Sequence, residues 1–293
     1  MPDSVAVPAI WGSSRRSRGV VPRCETVGVG VRWVVAATLF LVGACGDGAE
    51  DVGWWRPDAE ATWQWQLQGT VNTGYDVDVY DVDLLESTPA VLDRLRAEGR
   101  MVVCYFTAGT WETFRDDAGP PAEAIGLRLA EFPNERWLDV RHDAVRALVV
   151  DRLDLARERN CDGVEPDNVD GYANDTGFDL TASDQLAFNR FVAAEAHQRN
   201  LAVGLKNDLD QVADLVGDFD FAVNEQCHEY DECESLAPFV AAGKPVFNAE
   251  YDDRLGQDPA PMCEDSRRLG LQTLVLHLEL DDSLRISCDD RER

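Results

Sequence analysis

Short runs of apolar, β-branched and aromatic residues alternate with longer stretches of helical periodicity through most of the chain after residue 60. Such alternation predicts βα units arranged around a parallel sheet. Eight runs have strand character: 63–67, 77–84, 101–107, 163–167, 202–207, 221–225, 245–251 and 273–280. Because eight parallel strands close a barrel, the pattern predicts one α/β domain of the (β/α)8 TIM-like class over residues 61–293.

The stretches between these runs carry the start and stop signals of helices. Thr88 precedes Pro89, which suits a helix start, and Thr181 with Asp184 three residues later forms a capping-box pattern. Asn200 stands where a helix would end in the left-handed conformation. Residues 142–160 place apolar side chains on one stripe, as a helix that covers a barrel requires.

The amino-terminal region has the organisation of an export signal. An apolar run at 33–42 is too short to span a bilayer and leads into Gly43, Ala44 and Cys45. This order resembles a bacterial lipobox, so residues 1–44 are interpreted as a lipoprotein-type signal peptide with an uncertain amino-terminal extension, and Cys45 as the lipid anchor. An ordinary signal peptide cut nearby is the alternative. Residues 45–60 then form a flexible acidic tether, and the protein is expected outside the cytoplasm, bound to a bacterial membrane or secreted.

Six cysteines remain after Cys45, and export to an oxidising compartment permits three disulfides. Six cysteines allow 15 connectivities. The short separation of Cys227 and Cys233 makes that pair the first expectation. Cys263 with Cys288 is the second, which leaves Cys104 with Cys161. Zinc is the competing interpretation, but paired C-x-x-C knuckles are missing, so neither a metal nor another cofactor is expected.

Charge narrows the range of partners. The chain has 27 basic and 55 acidic residues and a formal net charge of -28, and Lys206 and Lys244 are its two lysines. Such a surface repels nucleic acid and attracts cations. A solvated acidic surface without any partner is the simpler explanation of the same numbers.

Polar residues cluster where the predicted strands end, which is the edge that carries the active site in a (β/α)8 barrel. Each of them alone could instead cap a helix. The set is Asp81, Tyr105, Glu165, Asp167, Asn168, Lys206, Asn207, Asp208, Glu225, Gln226, Glu250 and Tyr251.

Two carboxylates and one lysine are the strongest candidates in this set. Glu165 and Asp167 share a face of their strand, so both point into the barrel mouth, and Lys206 ends the next strand. Glu225 closes a further apolar run. Carboxylates on separate strands suit glycosidic cleavage, in which one protonates the leaving oxygen and the other attacks or activates water. A purely structural buried Glu–Lys pair is the alternative.

Other reaction classes lack comparable support, since the sequence has no G-x-S-x-G elbow, no H-E-x-x-H motif and no P-loop. Aromatic residues in or near the strand ends could stack on sugar faces or belong to the core. They are Trp63, Trp65, Tyr105 and Trp111.

Several blocks in order, from Trp63 to Tyr251, resemble the endo-α-1,4-polygalactosaminidase family, glycoside hydrolase family 114. They lie at 63–67, 80–83, 104–112, 162–170, 205–208, 224–227 and 250–251. The resemblance implies a TIM-like barrel that hydrolyses galactosamine-containing polymers, with Asp167 and Glu225 as the catalytic pair. We expect the substrate to be bound by Asp81, Tyr105, Trp111, Glu165, Asn168, Lys206, Asn207, Asp208, Glu250 and Tyr251.

The expected partner is a polysaccharide, and an acidic cleft would concentrate a cationic amino-sugar polymer. Two alternatives stay open: a non-catalytic, lipid-anchored sugar-binding protein on the same barrel, and a hydrolase of another amino-sugar polymer. In the enzymatic interpretation Asp167 is the nucleophile or a charge-stabilising carboxylate, and Glu225 is the general acid that then becomes the base. Lys206 would favour ionised Asp167, and Glu225 would keep its proton in a less cationic setting.

Overall fold

The computed structural model describes residues 53–115, 119–130, 132–255 and 258–289, so the leader and Cys45 lie outside the described residues. Its strands are β1 (Trp63–Gln66), β2 (Val79–Asp83), β3 (Met101–Thr107), β4 (Thr110–Glu112), β5 (Ile125–Arg128), β6 (Glu135–Leu138), β7 (Gly163–Asp167), β8 (Ala202–Lys206), β9 (Phe221–Glu225), β10 (Val246–Tyr251), β11 (Gln272–Leu276) and β12 (Arg285–Ser287). Its α-helices are α1 (Pro89–Ala97), α2 (Asp143–Glu158), α3 (Ala182–Gln198), α4 (Val212–Leu215), α5 (Ala237–Ala241), α6 (Asp252–Leu255) and α7 (Ala260–Leu269).

Eight of these strands run parallel in the order β1-β2-β3-β7-β8-β9-β10-β11, and β12 pairs antiparallel with β11. The curled sheet brings its first and last strands together. The Trp63 indole donates a 2.8 Å hydrogen bond to the carbonyl of Gln272, and Arg285 of β12 donates to the side chain of Gln64 at 2.6 Å. Seven of the eight parallel strands fall within a predicted run, and β11 begins one residue before its run, at Gln272. The (β/α)8 class is confirmed.

The helices follow the predicted signals in most places. Thr181 and Asp184 form the reciprocal capping box of α3, with side-chain to backbone hydrogen bonds of 3.2 and 2.9 Å. Asn200 adopts the left-handed conformation, with φ 56°. Thr88 precedes α1 as expected, but its side chain accepts no capping hydrogen bond. On the barrel side of α2 the predicted apolar stripe is buried.

Two connections depart from a regular βα repeat. The connection from β1 to β2, residues 67–78, contains no helix. The connection from β3 to α2 contains a small antiparallel sheet of order β4-β6-β5, which we call the insertion. Both connections leave the carboxyl ends of barrel strands, so they form part of the rim above the barrel mouth.

Three disulfides join Cys104 to Cys161, Cys227 to Cys233 and Cys263 to Cys288. These are the three pairs expected from the spacing. The Cα atoms of Cys227 and Cys233 are 4.7 Å apart, within the range of about 4.4–6.8 Å that disulfides require. Their loop directly follows β9.

Residues before position 61 already pack against the barrel. The Trp54 ring stacks on His197 with 4.0 Å between centroids, and its indole donates a 3.1 Å hydrogen bond to Asp220. Both partners lie near the amino ends of barrel strands, at the face opposite the strand ends that carry the candidate site. Trp54, which lies within the range 45–60 expected to be a tether, therefore packs against the domain. No helix among the described residues combines the length and apolar character needed to cross a membrane.

Candidate active site

Lys206 lies at the floor of the barrel mouth, with only 2% of its side chain exposed. Its Nζ atom is 3.1 Å from Glu165 Oε1, from Asp167 Oδ1 and from Glu225 Oε2. Burial opposes a charged ammonium, but the negative charges of these carboxylates outweigh it and hold the pKa of Lys206 well above its ordinary value. One permanent cation therefore serves carboxylates from two strands, β7 and β9.

Beneath this lysine, Glu165 and Asp81 form a buried carboxyl pair. The Trp65 indole donates a 3.1 Å hydrogen bond to Glu165. Burial raises the pKa of Glu165 to about 7, although the neighbouring ammonium of Lys206 opposes the shift. Burial and the charge of Glu165 raise the pKa of Asp81 well above its usual range. The pair therefore retains a proton up to about neutral pH.

Asp167, at the end of β7, accepts hydrogen bonds from three directions. Besides Lys206, the Tyr105 hydroxyl donates to its Oδ2 at 3.0 Å, and the backbone N–H of Asn168 donates to its Oδ1 at 2.6 Å. Asn168 can make this contact because its backbone is left-handed, with φ 60°. Such donors stabilise the ionised carboxylate.

Gly109 allows the turn beside Asp167 to form. A Cβ at this position would lie 1.8 Å from the carbonyl oxygen of Asn168, so any other residue would displace the backbone. The adjacent N–H of Ala108 donates to the Asp167 carbonyl at 2.8 Å. The close approach of the two chain segments fixes the direction in which the end of β7 points.

Glu225 ends β9 and is oriented by Asn207 and Tyr251. The Tyr251 hydroxyl donates to Glu225 Oε1, and Asn207 Nδ2 donates to Oε2 at 3.3 Å. Asn207 also accepts the backbone N–H of Glu225 at 2.9 Å, so it holds both ends of the residue. Burial, followed by the charge of Glu225, raises the pKa of Tyr251 well above its usual value, so the phenol keeps its proton and donates.

The distance between Asp167 and Glu225 is bounded by their shared contact with Lys206. Oδ1 of the first and Oε2 of the second each lie 3.1 Å from Nζ, so these oxygens are at most twice that distance apart. Their side chains are 15% and 23% exposed, respectively, and both open toward the same cavity. The two carboxylates therefore face one bound molecule.

One expectation about the electrostatics is wrong. We expected Glu225 to occupy a less cationic setting than Asp167, but Lys206 Nζ is equally close to both. The reason is geometric: β8 lies between β7 and β9 in the sheet, so a lysine at its end reaches both neighbours.

An open cavity of about 880 Å³ lies above these carboxylates. Of the predicted site residues it is lined by Tyr105, Asp167, Asn168, Lys206, Asn207, Glu225 and Tyr251. Trp65 reaches its floor, whereas Trp63 is buried in the core with 1% exposed. Its volume is within the usual range for ligand sites.

Other predicted site residues lie away from this cavity. Asp208 turns toward α3, where Asn189 donates to it at 2.8 Å, and Glu250 accepts the backbone N–H of His228 at 3.0 Å. Trp111 packs against the core from the insertion. Asp81 and Glu165 are buried and do not line the cavity.

The insertion adds cavity residues that the strand-end rule does not predict. Phe114 and Phe132 are 58% and 46% exposed and provide apolar faces on the rim. Arg115 bonds to Glu112 and Asp83, and Glu135 faces the cavity from β6. An unusually long connection between the third and fourth strand-like runs was the signal in the sequence that could have pointed to this rim.

A second group of ligand-type side chains lies behind β9. Ligand atoms of Cys227, His228, Cys233 and Glu250 all lie within 4.8 Å of one another. The two cysteines form a disulfide, so their sulfurs are not thiolates. The group therefore stabilises the loop after Glu225.

Comparison with known proteins identifies the family. The model of glycoside-hydrolase family GH114 matches residues 47–293. The structure is similar to Aspergillus fumigatus Ega3 in complex with galactosamine, with 36% identity, a TM-score of 0.75, and coverage of 80% of this chain and 97% of that chain. It also shares its fold with the glycoside hydrolase domain of PelA from Pseudomonas aeruginosa, at 15% identity, a TM-score of 0.60, and coverage of 79% and 99%.

Among curated relatives, an uncharacterised protein of Deinococcus radiodurans is 27% identical over 219 residues, which cover 66% of this chain and 69% of that protein. The family match covers the whole barrel and every residue of the candidate site. The chain therefore belongs to glycoside-hydrolase family GH114 and is a glycoside hydrolase.

Proposed function

We propose that this protein cleaves an α-1,4-linked, galactosamine-containing polysaccharide at internal positions, using Asp167 and Glu225. The observation that carries the proposal is the pair of carboxylates on one ammonium, facing an open cavity. The similarity to a solved relative that holds galactosamine supports the sugar class. An open cleft, rather than a closed pocket, suits attack within a polymer.

In the proposed reaction Glu225 protonates the glycosidic oxygen while Asp167 attacks the anomeric carbon. The sugar is then held on Asp167 as an ester, and Glu225, now ionised, removes a proton from the water that releases it. Asp167 suits the first role because the Tyr105 hydroxyl and the Asn168 N–H stabilise its charge. The greater exposure of Glu225 suits a group that must meet both leaving group and water.

The short separation supports retention of configuration. Retaining enzymes place their carboxyl groups about 5–5.5 Å apart, whereas inverting enzymes need roughly 6.5–9.5 Å to admit a water molecule. One oxygen of Asp167 and one of Glu225 are at most twice 3.1 Å apart, a bound that includes the separation that retention requires. Proton NMR of the first-formed reducing end distinguishes the two outcomes.

Electrostatics supports a cationic polymer as the substrate. The chain has a formal net charge of -28, and acidic side chains outnumber basic ones in the cavity lining, where Arg115 pairs with Asp83 and Glu86. A field of this sign raises the local concentration of a polycation and steers it toward the cleft. High salt should therefore raise KM more than it lowers kcat.

The test is digestion of purified amino-sugar polymers, followed by sizing of the products. We expect Asp167→Asn and Glu225→Gln to reduce turnover of a partly deacetylated galactosaminan by roughly 10³-fold or more, because each variant keeps the shape but removes the ionisable group. Both should bind the polymer and unfold at the wild-type temperature. Retained turnover in either variant, or cleavage of some other polymer in preference, would reject the assignment.

Export and anchoring complete the proposal. We infer that the protein works outside the cytoplasm and is held to the membrane by a lipid on Cys45, which lies outside the described residues. Three disulfides among the described residues support an oxidising compartment. Mass spectrometry of the membrane-extracted protein should find a diacylated amino-terminal Cys45, and an unmodified Cys45 would contradict this.

A further inference from the structure

Glu135 is a carboxyl group in the cleft wall that the proposed chemistry does not use. It begins β6 in the insertion, at the edge of the cavity above Asp167. The β4–β6 register places Glu112 directly opposite it. Like charges at directly opposite positions destabilise a strand pair, so this arrangement needs a compensating group.

Among the described residues, Glu112 has a basic partner and Glu135 does not. Arg115 donates two hydrogen bonds to Glu112, of 2.8 and 2.9 Å, and also contacts Asp83 at 2.7 Å. For Glu135, the described ranges contain no basic side chain within ion-pair distance. It accepts one hydrogen bond, from the Thr110 hydroxyl at 3.1 Å.

Thr110 also connects Glu135 to the catalytic strand. Its fully buried hydroxyl lies 2.8 Å from Asn168 Oδ1, and Asn168 directly follows Asp167. A hydroxyl has one proton to donate, so it can satisfy only one of its two acceptors at a time. Glu135 is therefore held at a fixed position close to the proposed catalytic residues, but its carboxylate has fewer hydrogen-bond donors than it can accept.

The cost of ionising Glu135 follows from these surroundings. Burial, then the charge of Asp167, then that of Glu112 raise the pKa of Glu135 to about 7, while Thr110 and Arg115 act in the opposite direction. In the free enzyme its carboxylate thus forms only at neutral pH and above. A cation placed beside it would remove the repulsion and favour the ionised form at lower pH.

We propose that Glu135 recognises a free ammonium group on the sugar bound next to Asp167, and so makes the enzyme selective for deacetylated amino-sugar units. This inference rests on the proposed function. An alkylammonium brings three N–H donors and a positive charge to a carboxylate that lacks both. An N-acetyl group brings one neutral N–H and a bulkier acyl group, so it leaves the repulsion between Glu135, Glu112 and Asp167 in place.

The experiment compares Glu135→Gln with Glu123→Gln on two polymers, galactosaminan and its fully N-acetylated form. Glu123 is a matched control because it is an exposed carboxylate of the same insertion, outside the cavity. For Glu135→Gln we expect kcat/KM on the free-amine polymer to fall by about 10-fold or more, mainly through KM, with little change or a gain on the acetylated polymer. Glu123→Gln should match wild type on both.

The pH profile gives an independent readout. Because ionised Glu135 is the binding form, wild-type kcat/KM on the amine polymer should decline as pH falls below about 7, and the ratio of wild type to Glu135→Gln should decline with it. Equal losses on both polymers, no loss on either, or a pH-independent ratio would each overturn the inference. A wild-type enzyme that cleaves neither polymer would instead reject the proposed function.

A measurement on the unmodified enzyme covers the case in which the variant does not fold. Galactosamine should inhibit the wild-type enzyme more strongly than N-acetylgalactosamine, and the difference should grow as the pH rises from 5 to 7. Equal inhibition by the two sugars throughout that range would overturn the inference.

Discussion

At the scale of single residues, the buried ammonium of Lys206 is the shared partner of the carboxyl groups in the site. Three carboxylate oxygens lie 3.1 Å from it, and two of them belong to the proposed catalytic groups. A buried carboxylate that loses its cation must either take up a proton or carry an uncompensated charge, so removal of one partner is more damaging than replacement of the whole group.

We predict that Lys206→Met abolishes turnover, by roughly 10³-fold or more, and lowers the free energy of unfolding by about 3–5 kcal/mol at pH 8. The loss of stability should be smaller at pH 5, because there the orphaned carboxyl groups can be protonated. Kinetic assays and urea unfolding at the two pH values measure both effects.

The second lysine of the chain is the natural control for this variant. Lys244 donates to backbone carbonyl groups of Val216 and Phe219, far from the cleft, so Lys244→Met removes an equal charge and leaves kcat unchanged. Equal kinetic effects of the two substitutions would show that total charge, not the local contact, is what matters.

At the scale of elements, the disulfides Cys104–Cys161 and Cys227–Cys233 are expected to have different effects on stability and activity. Cys104–Cys161 ties β3 to the segment before β7, across a sequence separation of 57 residues. Cys227–Cys233 spans only 6 residues but begins two residues after Glu225. In the chain-entropy account a longer closed loop gives greater stabilisation, whereas a short loop chiefly fixes local geometry.

Removing Cys104–Cys161 by double alanine substitution should cost about 4 kcal/mol of stability and leave kcat near the wild-type value. Removing Cys227–Cys233 should cost less, about 2 kcal/mol, yet lower kcat several-fold because Glu225 loses its fixed orientation. Thermal unfolding and initial rates for the two double variants separate these effects. The reverse order of kinetic damage would contradict the proposed role of the short loop.

Strand alternation explains which site residues could be predicted from the sequence. Glu165 and Asp167 share a face of β7, and the structure places both at the ammonium of Lys206. The same rule shows why Glu250 lies outside the cavity: adjacent residues of β10 point in opposite directions, and Tyr251 takes the inward position. Because adjacent residues of a strand face opposite sides, Glu250 and Tyr251 could not both line the cavity, and the prediction that both bind substrate was inconsistent with this alternation.

The alternation of side chains between the two faces of a strand does not continue beyond the last residue of the strand. Asp208 has a left-handed backbone, with φ 47°, and turns toward α3, a direction that no periodicity encodes. Glu135 was missed for a related reason. Its position above Asp167 depends on the register of an antiparallel insertion, and sequence spacing alone does not determine that register.

At the scale of the whole molecule, many buried carboxyl groups prefer the protonated form. Burial raises the pKa of Asp208 to about 8 and that of Asp170 to about 6, and Glu135 and Glu165 are raised to about 7. Between about pH 4 and 8 the folded chain therefore binds more protons than the unfolded chain. Stability must then fall as the pH rises through this window.

We predict that the unfolding temperature is higher at pH 5 than at pH 8 by at least ~5 °C, because one raised pKa unit corresponds to about 1.4 kcal/mol and each kcal/mol to roughly 2–4 °C. Asp208→Asn should flatten this dependence, since asparagine tolerates the left-handed backbone and does not titrate. Calorimetry across the pH range provides the test. A melting temperature that rises toward pH 8, or an unchanged slope in Asp208→Asn, would be inconsistent with this account.

The position of Glu135 on the insertion, apart from the barrel strands that hold Asp167, Glu225 and Lys206, has a consequence for how the enzyme can evolve. The barrel residues share one ammonium, so a change at one of them alters the surroundings of the others and of the bond-breaking step. Glu135 makes no contact with that ammonium, so a substitution there leaves the three barrel groups and their contacts in place. If Glu135 selects the free amine, substitutions in the insertion can change the preference between charged and acetylated polymers, while the residues that cleave the bond stay the same.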